Sequence, residues 1–60
     1  MIKIVFEMIH GKRLECAIEE TDLNILELGI VEGRGTYRVT NEEGKTHIIS
    51  LRHVAYMYEL

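Results

Sequence analysis

The sequence has no proline, no tryptophan and a single cysteine, Cys16. One cysteine excludes an intramolecular disulfide, the commonest support of very small domains. Without proline, no turn is fixed by a ring and no exposed strand edge is blocked by a residue that cannot donate a hydrogen bond. No apolar run approaches the roughly 18 residues that a membrane-spanning helix requires, because Lys3, Glu7, Glu15, Glu19 and Glu27 interrupt each candidate. No apolar amino-terminal run follows a basic stretch, so no secretory leader is expected, and with the lone cysteine this predicts a reducing, cytoplasmic location. Basic charge is also short: seven Lys and Arg against ten Asp and Glu give a formal net charge of −3. That balance withholds the general attraction to phosphate on which most nucleic-acid binders rely, and leaves such a role to a local patch.

What remains is a chain of 60 residues, 47% hydrophobic and 28% charged, which is ordinary composition for one small globular domain spanning 1–60. A chain this short buries only about 60% of the surface its unfolded form exposes. Ordering it costs roughly 1.5 kcal/mol per residue, so a metal, a partner subunit or good packing must offset the loss. No large multi-element active site is expected at this size.

Glycine supplies the punctuation, at 11, 29, 33, 35 and 44, and the stretches between are rich in Ile, Val, Thr, Tyr and Phe. Ile2, Ile4, Phe6 and Met8 alternate onto one face, and beyond Gly11 so do Leu14, Cys16 and Ile18. A two-residue loop at His10-Gly11 would mix apolar and charged faces. A three-residue loop, Ile9-His10-Gly11, with Gly11 in the left-handed position of a bulged turn, instead sets Phe6 against Leu14, Ile4 against Cys16 and Glu7 against Arg13. The same reasoning around Asn41-Glu42-Glu43-Gly44 predicts a second hairpin with Tyr37 opposite Ile49 and Val39 opposite His47, while Arg38, Thr40, Thr46 and Ile48 share the other face.

Between the hairpins, Thr21 or Asp22 can cap a helix on which Leu23, Leu26 and Ile30 recur at helical spacing, with Gly33 as its stop. Gly29, Ile25 and Leu28 spoil a clean face, and a strand over Leu26 to Glu32 is the competing reading. After a break at Ser50-Leu51-Arg52-His53, Val54 to Tyr58 is apolar on both alternating faces, as in a strand covered on two sides. The expected architecture is α+β, a small strongly bent antiparallel sheet in the order β-β-α-β-β-β with one short helix; the alternative is an all-β small barrel.

The stretch His47-Ile48-Ile49-Ser50-Leu51-Arg52-His53-Val54-Ala55-Tyr56 carries a loose I-x-L-x-x-V-x-Y pattern. It resembles the closing strand, tight turn and strand of Sm-like small barrels and of short bacterial and phage β-rich proteins. The resemblance is confined to the carboxyl-terminal quarter of the chain, and it implies a bent antiparallel sheet and no particular activity. The RNA-contacting loop residues of the Sm family find no match.

Chemistry-bearing constellations are sparse. His10, Cys16, His47 and His53 show no zinc spacing, so no metal or other cofactor is expected. No nucleophile stands near a base, Glu19-Glu20 and Glu42-Glu43 read as solvated carboxylates, and the chain is not expected to be an enzyme. Two surfaces remain. Val5, Ile9, Tyr56, Met57, Tyr58 and Leu60 exceed what one face of the sheet needs and predict a protein interface, in a homodimer or with another protein, for an intracellular regulator, adaptor or inhibitor. The alternative is nucleic-acid binding through Arg34, Tyr37, Arg38 and Arg52, combining phosphate contacts with one stacking ring; Lys12-Arg13 and His53 could join them in space.

Overall fold

Alternation of apolar side chains decides the first hairpin. The computed structural model describes residues 1–41 and 43–60. Strands β1 (Ile2–Met8) and β2 (Arg13–Ile18) pair antiparallel, with Ile4 opposite Cys16, Phe6 opposite Leu14 and Glu7 opposite Arg13. That is the register of the three-residue loop. Gly11 takes φ 93°, and the loop is closed by the Met8 N–H donating to the Lys12 carbonyl at 2.8 Å and the Gly11 N–H to the Met8 carbonyl at 2.9 Å. Ile4, Phe6, Cys16 and Ile18 all enter the core. On the outer face, Arg13 forms an ion pair with Glu15, its neighbour along β2, at 3.6 Å.

The second hairpin obeys the same rule. Strands β3 (Thr36–Thr40) and β4 (Thr46–Ser50) place Tyr37 opposite Ile49, Val39 opposite His47 and Arg38 opposite Ile48, with Gly44 at φ 83°. Asn41 organises the turn: its Oδ1 accepts the N–H groups of Glu43 and Lys45, both at 3.0 Å. Glu42, part of the expected turn and of the Glu42-Glu43 pair, lies outside the described residues.

Residues 51–53 form a 3-10 turn, and β5 (Val54–Glu59) returns to pair antiparallel with β1, Val5 opposite Tyr58 and Phe6 opposite Met57. A bulge between Glu7 and Met8 shifts the ladder so that Met8 faces Val54. The five strands thus divide into two sheets, ordered β2-β1-β5 and β3-β4, where one bent sheet was expected. They do not close into a barrel, and residues 23–32 are helical, so the all-β alternative is not the fold.

The ambiguous middle is helix α1 (Leu23–Glu32), entered through a 3-10 turn at Glu20–Asp22. Leu26 is fully buried, and Leu23 and Ile30 pack against the core. Gly33 terminates it at φ 68°, ψ 35°, with the Gly33 N–H bonded to the Ile30 carbonyl at 3.2 Å and the Arg34 N–H to the Gly29 carbonyl at 3.1 Å. Those two bonds satisfy carbonyls that the last turn would otherwise orphan. Asp22 sits at the cap position but makes no side-chain cap bond; its Oδ2 instead accepts the Tyr37 hydroxyl at 2.6 Å, tying the helix start to β3.

Candidate functional site

Helix α1 is apolar on more than its core face. Ile25 is 63% exposed, Leu28 60% and Val31 78%. Spaced three residues apart, they form one stripe along the outside of the helix. A shallow groove lined by Glu27, Ile30, Val31, Ala55, Tyr56 and Met57 joins this stripe to β5. There Tyr56, 57% exposed, stacks on Tyr58 with ring centroids 6.1 Å apart. β5 is an edge strand, hydrogen-bonded to β1 on one side and to no strand on the other. Val31 and Tyr56 thus border one groove beside an unpaired strand edge, and Leu28 and Ile25 continue the apolar stripe around the outside of the helix.

The expected interface residues separate on this frame. Ile9, Tyr56, Tyr58 and Leu60 are exposed, but Val5 is 0% exposed and has no surface to offer. It lies on the central strand, flanked by Glu15 on β2 and Tyr58 on β5, so its neighbours close over it although it points away from the core. Met57 packs against the core and also lines the groove. The last strand is not covered on both sides: Val54 is buried, while Ala55, Tyr56 and Tyr58 are open to solvent. The pattern itself missed Ile25, Leu28 and Val31, although the signal was present as apolar positions that did not fit the inward face.

Two of the four residues proposed to contact nucleic acid are engaged by acidic side chains. Arg34 is held by Glu32 at 2.8 Å. Tyr37 is half-buried and bonded to Asp22; burial first, then that hydrogen bond and the negative charge beside it, push its phenol up to about 12. Its ring packs against the core instead of offering a stacking platform. Arg38 is exposed opposite Ile48, and Arg52 is exposed on the 3-10 turn. Cys16 is buried, which raises its thiol pKa. Among the described residues no group of His, Cys, Asp or Glu is arranged to hold a metal ion.

No protein-family model, curated protein or solved structure matches the chain. No helix among the described residues is long and apolar enough to cross a membrane.

Proposed function

We propose that this protein is a non-catalytic binding module that self-associates through α1 and the free edge of β5. The observation that carries this reading is the exposed apolar stripe Ile25, Leu28 and Val31 on α1, which meets the exposed Tyr56 of the open edge strand β5 across a groove at Val31. Small soluble monomers rarely leave such a contiguous apolar face uncovered, and open edges without proline or inward charge are ready to pair.

A second copy fits this surface better than an unrelated strand because β5 is self-complementary. Val54 to Tyr58 carries no charge. Two copies related by a two-fold axis through Met57 would pair antiparallel, setting Tyr56 against Tyr58 of the second copy and Ala55 against its Glu59. An even register keeps tyrosines on the outer face of both sheets, and no like charges meet. The stripe on α1 would flank the joint and supply the apolar area that a bare edge lacks.

Sedimentation velocity across a concentration series tests the reading. A reversible dimer is expected, and the double variant Leu28→Asp, Tyr56→Asp returns it to a monomer while circular dichroism stays native, since both positions are exposed. A wild-type chain that sediments as a monomer throughout the series rules the proposal out.

A further inference from the structure

A second groove, of about 400 Å³, lies between the β1–β2 turn and the β4–β5 connection. It gathers His10, Lys12 and Arg13 from the first hairpin, His47 from β4 and His53 from the 3-10 turn, over a floor that includes Leu14 and Ile49. In a chain of net charge −3, every titratable group among the described residues lining this groove is basic. Among the described residues, acids border it without lining it: Glu15 beside Arg13, Glu7 opposite Arg13 on β1, and Glu43 with Glu15 in another depression that shares Leu14.

Two of the three imidazoles are held as hydrogen-bond acceptors. Because the Asn41 Oδ1 is committed to two backbone N–H groups, its amide nitrogen, which can only donate, faces the His47 Nε2 at 3.2 Å. The His10 Nδ1 likewise accepts the Lys12 N–H, over a long 3.4 Å.

We infer that this groove binds an acidic peptide segment that also carries apolar side chains. Carboxylates match the basic rim and aliphatic side chains match the floor. No Phe, Tyr or Trp lines the groove, which removes the stacking surface that single-stranded nucleic acid uses.

The test is fluorescence anisotropy with a labelled synthetic peptide of alternating glutamate and leucine, at about 0.01 M and about 0.15 M salt. Tighter binding at the lower salt is expected, because salt screens charge pairs at a surface. Lys12→Glu should weaken binding about tenfold at both. That position is exposed, so the variant's melting curve should match the wild type. Absence of binding at both values, or equal binding by a lysine–leucine peptide, overturns the inference. Tighter binding of a single-stranded oligonucleotide than of the peptide overturns the assignment of the ligand. None of the residues substituted here belongs to the proposed self-association face, so the two proposals fail separately.

Discussion

Gly29 shows how one missing side chain sets the distance between two elements. By propensity alone, alanine in a helix interior is better than glycine by about 1 kcal/mol. In this position an added Cβ would stand 2.4 Å from the Leu51 Cδ1 and 3.2 Å from the Arg34 carbonyl oxygen. Leu51 is itself 3% exposed and hemmed in by the core, so its methyl cannot simply turn away. Overpacking of this kind costs about 1–3 kcal/mol, which exceeds the gain in propensity. Gly29→Ala is expected to destabilise the protein in urea, and Gly29→Ala with Leu51→Ala should lose less than the sum of the two single losses. Tyr37 makes a different residue-scale claim. Its phenol is raised in the folded state, so the Asp22 bond contributes stability that is complete below about pH 10 and lost as pH climbs toward about 12. Phenolate absorbance should show a late step near pH 12 that Tyr37→Phe abolishes, and the variant should lose about 1–2 kcal/mol at neutral pH.

Elements differ in how openly the sequence declares them. Both hairpins were readable because strict alternation and a glycine at a fixed offset leave one register that keeps charge off the core face; Gly11 and Gly44 occupy the positive-φ positions this demands. Nothing within 4 Å would obstruct a Cβ at Gly11, so a substitution there meets backbone strain alone. Gly11→Ala is expected to cost about 1 kcal/mol, and Gly11→Asn less, because asparagine enters positive φ more readily. Denaturant midpoints at an unchanged slope would show it. Helix α1 was less open, since Ile25 and Leu28 read as noise against an amphipathic pattern. They are the outward stripe, and a pattern that assumes one buried face has no place for a second apolar face. The same limit hid the burial of Val5: alternation assigns it correctly to the outer face, but only the neighbouring strands decide whether that face is wet. The division into two sheets was equally silent in the sequence, because pairing between β2 and β3 depends on how the helix spaces them.

For the whole molecule, size decides which support is left. A monomer of 7.0 kDa is expected to expose roughly 4,000 Å², and this chain exposes 4307 Å², so its packing does not make up for its shortness. With no disulfide and a core drawn from few residues, the proposed self-association would add stability, and it would leave a thermodynamic signature. When a folded dimer melts to two unfolded chains, each tenfold rise in concentration favours the dimer by about 1.4 kcal/mol, or roughly 0.7 kcal/mol per chain. Unfolding entropy near 2.1 cal/mol/K per residue gives about 0.13 kcal/mol/K for a chain of this length. The melting temperature should therefore climb by about 5 °C per tenfold in concentration wherever the dimer predominates. The Leu28→Asp, Tyr56→Asp variant should melt at one temperature regardless of concentration, because it unfolds as a single chain. Scanning calorimetry over a hundredfold range measures both slopes. A flat wild-type slope would mean that the exposed stripe on α1 stays uncovered and that the monomer's core alone sustains the fold.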